Sequence, residues 1–137
     1  MLAIPNLANC SGGTTGKTKV IEQDMPAGES DEGLRTWFSV SGMHFEMRQL
    51  LAGPLFHGAP HSAAFNGLYC GNTLVMPAKL DAETIVRLIK KYRIEYVQMV
   101  PTLMQRISRM PGFRKEDLAS LEVCLLYTSP SPRDYAA

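Results

Sequence analysis

The sequence predicts an α/β fold, a parallel β-sheet with flanking helices, on three observations. Short apolar runs alternate with helix-length segments: "NTLVMP" (72–77), then Ile85, Val86, Leu88, Ile89 and Tyr92 at helical spacing, then "IEYVQMV" (94–100). The joints carry stop and start signals, with Pro77 ending a strand, Asp81 as an N-cap and Pro101 opening a helix. The 137 residues are 45% hydrophobic and 20% charged, enough for one core of ordinary globular type.

The elements follow in order. Residues 1–9 are weakly apolar and broken by Pro5; a Gly/Thr/Lys loop follows, then Val20-Ile21 as a brief strand-like pair. "DMPAGESDEG" (24–33) is a polar linker. "LRTWFSVSGMHFEM" fits helix or strand. "RQLLAGPLF" (48–56) reads as a buried strand running into a Gly-Pro turn. Ala59–Tyr69 is a short helix closed by Gly71, and Leu103, Met104 and Ile107 mark one side of a helix after Pro101. "SLEVCLLY" (120–127) supplies a last strand.

Charge and cysteines exclude several classes. The net charge is +1, and the nine bases between Lys79 and Asp117 face five acids with no aromatic stripe among them. That describes a solvated face, not a nucleic-acid groove. Cys10, Cys70 and Cys124 have no CxxC spacing, so neither zinc nor a disulfide framework is indicated, and a reducing, cytoplasmic setting is expected. No apolar run reaches membrane-spanning length, and the N-terminus lacks the pattern of a signal peptide.

"CSGGTTGKTK" (10–19) carries the chemistry. Successive backbone N–H groups in a Gly-rich turn form a concave anion site; lysines add charge, and hydroxyls add donors and a ligand for Mg²⁺. A plain flexible loop would also be rich in glycine, but the joint density of Thr and Lys favours phosphate. A Walker loop would need Gly where Ser11 stands and a long helix after Lys17, and Pro26 and Gly28 follow instead.

Ser11, Gly13, Thr14, Thr15, Gly16, Lys17 and Lys19 resemble the Thr-Ser-Gly-Thr-Thr-Gly-Lys-Pro-Lys loop of adenylate-forming enzymes, the acyl-CoA synthetase and AMP-ligase superfamily. Gly12 replaces the usual Ser and Thr18 the usual Pro. The Ser-Gly-Gly opening is similar to the branch acting on bile acids and carnitine-like acids. "GPLFHGAP" (53–60) resembles the family's Pro-Leu-[Phe/Tyr]-His motif, and Val100-Pro101-Thr102 its Val-Pro-Thr turn. The three occur in the family's order. The resemblance implies an ATP-dependent carboxylate–CoA ligase that forms an acyl-adenylate and then a thioester. It implies ATP, Mg²⁺, coenzyme A and a small carboxylic acid as ligands. Ser11, Gly12, Gly13, Thr14, Thr15, Gly16, Lys17 and Lys19 would hold phosphate, with Thr14 or Thr15 on the metal. A stand-alone phosphate-binding α/β module without catalysis is the rival reading.

The same resemblance puts His57 near the junction of nucleotide and acyl sites, where it would position the carboxylate; a buried histidine with no direct role is the other reading. His57 and His61 are four apart, but Gly58 and Pro60 between them spoil a regular helix, and no third ligand stands nearby. His44 has no supporting context. Met43, Met47, Met99, Met104 and Met110 read as core filling. Small residues Gly58, Ala59 and Ala63 suggest a roomy acyl pocket.

The family's adenine, ribose and catalytic-lysine motifs are missing, so residues 1–123 are expected to be a partial adenylation domain with a partial sheet, inactive alone. Cys124–Asp134 is also an in-frame translation of a DNA string that resembles the adapter of a transposase-based sequencing library. Residues 124–137 are therefore expected to be non-native read-through, with 125–127 still pairing as a strand; a genuine Pro-rich tail is the alternative.

Overall fold

The structure, a computed structural model, describes residues 8–10, 20–22 and 38–126, the first two segments as backbone strands only. The phosphate loop 11–19 and residues 127–137 lie outside the described residues.

Strand β1 (Ala8–Cys10) pairs antiparallel with β2 (Val20–Glu22), with Cys10 opposite Val20. The Gly/Thr/Lys segment thus connects two neighbouring strand ends.

The ambiguous stretch resolves as helix at residues 38–41, then irregular chain to residue 47. After it come β3 (Arg48–Leu51), α1 (Gly58–Tyr69), β4 (Thr73–Val75), α2 (Ala82–Tyr92), β5 (Tyr96–Met99), α3 (Pro101–Ser108), a 3-10 turn (Lys115–Leu118) and β6 (Val123–Leu126). The sheet order is β4-β3-β5-β6, and every pair is parallel. The expected strand–helix alternation is what forms. Leu125 and Leu126 pair with Gln98 and Met99 as part of β6.

Successive strand residues point to opposite faces. Leu50, Val97 and Met99 pack with Ile85, Val86, Ile89, Leu103 and Ile107, so α2 and α3 cover one face. Leu51 packs with Ala63 and Ala64, so α1 covers the other. Met43, Met47, Cys70 and Tyr96 form a third cluster joined by Phe38 and Val123. The methionines do fill core, with Met104 and Met110 at its margin.

Gly58 and Pro60 do not spoil the helix, contrary to the expectation. His57 is the N-cap and α1 begins at Gly58. Pro60 falls in the first turn, where the N–H it lacks would have had no helical acceptor. Asp81 caps α2 as expected, accepting from the Thr84 N–H at 2.8 Å. Arg93 closes α2 in the left-handed region at φ 50°, letting Ile94 N–H reach Ile89 O at 3.1 Å.

A buried polar chain fixes α1 against the sheet. Gln49 Nε2 donates to Ala63 O at 2.8 Å, Asn72 Nδ2 donates to Gln49 Oε1 at 3.3 Å, and Asn72 Oδ1 accepts from Met47 N–H at 2.9 Å. Gly67 leaves room for it: a Cβ there would overlap Gln49 Oε1 and come within 3.0 Å of Leu74 Cδ2.

Gly67→Ala therefore sets two effects against each other. Alanine gains about 1 kcal/mol of helix propensity over glycine. Overpacking costs about 1–3 kcal/mol, and a broken buried hydrogen bond adds about 1–3 kcal/mol more. Destabilisation wins, and urea melts should show a midpoint below wild type; a raised midpoint would remove Gln49 from its place as the pin of α1.

The Asp81 carboxyl is held down at about 2, from an ordinary value of 3.8, first by the Thr84 N–H and then by Lys79. A depressed carboxyl stabilises the fold above its unfolded value and loses that contribution as pH falls through its folded one. Between pH 3.8 and 2, wild type should lose more melting temperature than Asp81→Asn, which keeps an acceptor but no charge. Parallel losses in the two proteins would show that the cap does not drive this part of the acid profile.

Candidate functional site

A cleft of about 680 Å³ opens at the C-terminal ends of β3 and β5. From β3 the chain turns towards β4, and from β5 towards β6 on the opposite side. Neighbouring parallel strands whose connections diverge leave a crevice between their C-terminal ends, the usual ligand position in open α/β sheets.

Each wall has a local cause. Ala52, Gly53 and Pro54 leave β3 and form one edge. Gly53 stacks on Pro60: a Cβ at 53 would lie 2.6 Å from Pro60 Cγ. That close approach brings the start of α1, with His57, Gly58 and Ala59, to the cleft. Pro101 at the first position of α3 brings Thr102, Leu103 and Arg106 to the other side. Thr102 and Arg106 are four apart and so share a helix face.

His57 is exposed among the described residues. Its backbone N–H donates to Pro54 O at 3.1 Å, and its carbonyl accepts from His61 N–H at 3.1 Å. The side chain makes no capping bond, and the ring lies 4.6 Å from that of Phe56. The turn thus places His57 at the start of α1, with its ring beside that of Phe56. Gly58 and Ala59 line the cleft as expected, whereas Ala63 does not; it is buried against Leu51 and packs α1 on the sheet. No group of three or more His, Cys, Asp or Glu side chains among the described residues is arranged to hold a metal.

Two cleft residues were not anticipated from sequence. Gln98, near the end of β5, has an enclosed Oε1 with no hydrogen-bond partner. An unpaired buried acceptor costs about 1–3 kcal/mol. Arg106 is the one Asp, Glu, Lys or Arg side chain among the described residues lining the cleft, and it has no ion pair there. The signal available in sequence was position: Gln98 precedes the Val-Pro-Thr turn, and Arg106 is one helical turn beyond Thr102.

Other titratable groups are committed elsewhere. His44, without context in sequence, meets Glu122 at 3.2 Å, and this bond raises its pKa. Burial pushes the Cys70 and Cys124 thiols up, so neither is a poised thiolate. Burial likewise pushes the Tyr96 hydroxyl up to about 12. None of the four lines the cleft. Among the described residues no helix is long and apolar enough to cross a membrane.

Comparison with known proteins supplies the frame for this geometry. The chain is 31% identical over 123 residues to a 2-succinylbenzoate–CoA ligase of Bacillus pumilus, covering 89% of this chain and 24% of that protein. It is 33% identical over 82 residues to 4-coumarate–CoA ligase 3 of Oryza sativa subsp. japonica, covering 59% of this chain and 15% of that one. It therefore spans about a quarter or less of these relatives' length. Among solved structures, the O-succinylbenzoate coenzyme A synthetase of Bacillus subtilis in complex with AMP superposes with a TM-score of 0.70 at 23% identity, covering 97% of this chain and 33% of that one. ATP-bound MatB from Rhodopseudomonas palustris gives 0.73 at 19% identity, over 90% of this chain and 24% of that one. Both likenesses are of fold. The profile of the AMP-binding enzyme family matches residues 9–137, nearly the whole chain, and this chain belongs to that family.

Proposed function

We propose that this chain is a segment of an ATP-dependent carboxylate–CoA ligase. The observation that carries the reading is the cleft itself, where two family motifs far apart in sequence, around His57 and around Thr102, meet at the C-terminal ends of adjacent parallel strands. The CoA-ligase names of the relatives support it. The rival, a phosphate-binding module without catalysis, would have no need of an acyl-sized cleft.

In this reading Ser11, Gly12, Gly13, Thr14, Thr15, Gly16, Lys17 and Lys19 hold the phosphates of ATP. Their donor set fits: backbone N–H groups and two ammonium groups for anionic oxygens, and the Thr14 hydroxyl as a hard oxygen ligand for Mg²⁺. The β1–β2 pairing, with Cys10 opposite Val20, supports a loop between fixed ends. His57 orients the substrate carboxylate. A carboxylate oxygen attacks the α-phosphorus and pyrophosphate leaves; the thiol of coenzyme A then attacks the acyl carbon and AMP leaves. The transition state gathers negative charge on phosphate oxygens, so positioning and electrostatic stabilisation carry the rate. The Ser11-Gly12-Gly13 opening supports a place beside ligases of bulky, bile-acid-type carboxylates.

In the complete ligase, Lys17→Ala and Thr15→Ala should each lower ATP–pyrophosphate exchange. The loss should be on the order of 10²–10³-fold for the lysine, as for removal of one preorganised donor to developing charge. Wild-type exchange in both variants would remove the loop from the reaction.

Gly58 and Ala59 at the cleft support an acyl group larger than two carbons. Across a panel of acids, kcat/KM should therefore be lowest for acetate. A preference for acetate over medium-chain and aromatic acids would exclude this substrate class.

A further inference from the structure

We infer that His44 and Glu122 form a pH-sensitive clasp, which fastens the segment 42–47 to the N-terminal end of β6 while the imidazole carries two protons and releases it when the ring becomes neutral. The clasp is independent of the ligase reading. The geometry around the ring calls for two donors. His44 Nε2 lies 3.2 Å from Glu122 Oε2, and Nδ1 lies 3.1 Å from Phe45 O. A carboxylate and a carbonyl only accept, and a neutral imidazole has one N–H, so the imidazolium alone satisfies both contacts. Charge balance points the same way. Glu122 N–H donates to Glu95 O at 2.9 Å, which brings two carboxylates to this edge of the sheet. Arg48 pairs with Glu95, and His44 offsets Glu122 only when protonated. These neighbours hold the His44 pKa above its ordinary 6.5, the Glu122 bond first, the Phe45 carbonyl next, with Glu95 adding to them. A raised pKa stabilises the closed form in full below the unfolded value and loses that contribution as pH rises through the folded one.

The fastened segment is irregular chain with two left-handed residues, Gly42 at φ 70° and Glu46 at φ 63°. Glu46 bears a steric cost there that glycine would not. Met43 and Met47 of the segment are buried with Cys70 and Tyr96. Met47 N–H donates to Asn72, so the segment borders the polar chain that pins α1. The other titratable groups around it do not change charge near neutrality. Burial pushes the Cys70 thiol up and the Tyr96 hydroxyl to about 12, and the helix at residues 38–41 is Phe-Ser-Val-Ser, with no charge. Glu46 and Glu95 are carboxylates and Arg48 is a permanent cation.

The test is oxidation of the 137-residue chain by hydrogen peroxide, read as methionine sulfoxide at each site by peptide mass spectrometry. A thioether has no proton to lose between about pH 5.5 and about pH 8.5, so its rate reports access. Met76, 64% exposed, calibrates the reagent, and Met99, buried in the core beneath α2 and α3, reports global unfolding. In wild type the rates of Met43 and Met47 relative to Met76 should rise about two- to fivefold across that range, the scale of one exposed ion pair, while Met99 stays slow. His44→Gln keeps a donor without a titrating proton, and Glu122→Gln keeps an acceptor without the charge; in both the ratio should not change with pH. A flat ratio in wild type overturns the clasp. So does a rise that persists in both variants, or one that Met99 follows in step. A second measurement needs no variant: by NMR, the His44 ring should titrate at higher pH in the folded chain than in concentrated urea, and equal midpoints overturn the inference.

Discussion

The side-by-side parallel pairing of β3 with β5 is the constraint on which the cleft depends. The two strands are neighbours in the sheet, with Leu50 opposite Val97, although β4 lies between them in sequence. Glu95 secures the pair at its N-terminal end. Its carboxylate accepts from the Arg48 N–H at 2.8 Å and pairs with the Arg48 guanidinium; its own N–H donates to Arg48 O at 2.8 Å, and its carbonyl accepts from Val123 N–H at 3.0 Å. One residue thus joins β3, β5 and the start of β6. With that end fixed, the other ends must part, because their connections run in opposite directions. The cleft is a product of topology before any side chain lines it.

Side chains then decide how deep the crevice is and what enters it. On the α1 side the fit is tight and polar: Gln49 and Asn72, both buried, tie the helix to the sheet through a backbone carbonyl and a backbone N–H. Hydrogen bonds of this kind are directional, so they fix the rotation of α1 where the small apolar contacts of Ala63 and Ala64 alone would let it slide. The Gly53–Pro60 contact sets its height. His57 inherits its position from these contacts. On the other face, α2 and α3 are held by a broad apolar layer of Ile85, Val86, Ile89, Leu103 and Ile107, which is more tolerant of substitution.

Most of the fold was legible because its signals are local. Asp81, Pro101 and the 3.6-residue spacing of Ile85, Val86 and Ile89 act within a few residues, and α2 and α3 lie where these signals put them. α1 starts within one residue of the helix expected over Ala59–Tyr69; Gly58 and Pro60 do not break it between His57 and His61, because a proline in the first turn costs a helix little, and the cap position of His57 shows that it is the first turn. The site was legible only in part. The family motifs picked out His57, but Gln98 and Arg106 acquire meaning from being brought to one cleft, a long-range fact. Ala63 shows the converse, since its small size serves packing and not the pocket. The loop 11–19, the clearest motif in the sequence, lies outside the described residues.

The chemistry available to this part of the chain is limited in an instructive way. Among the described residues the cleft lining contains no carboxylate and no thiol; its polar side chains are His57, Gln98, Thr102 and Arg106. Such a set can orient an acid, hydrogen-bond to it and offset its charge, but it holds no strong base to raise the reactivity of a carboxylate. A carboxylate needs no such help, being ionised at neutral pH and already nucleophilic. What it lacks is a favourable approach to a phosphorus surrounded by negative oxygens. Arg106 supplies positive charge at the cleft, and in the proposed reading the loop lysines supply it to the phosphates. Under the proposed reading, polar groups of this kind would place two anions in reach of each other and leave the bond-making to the reactants.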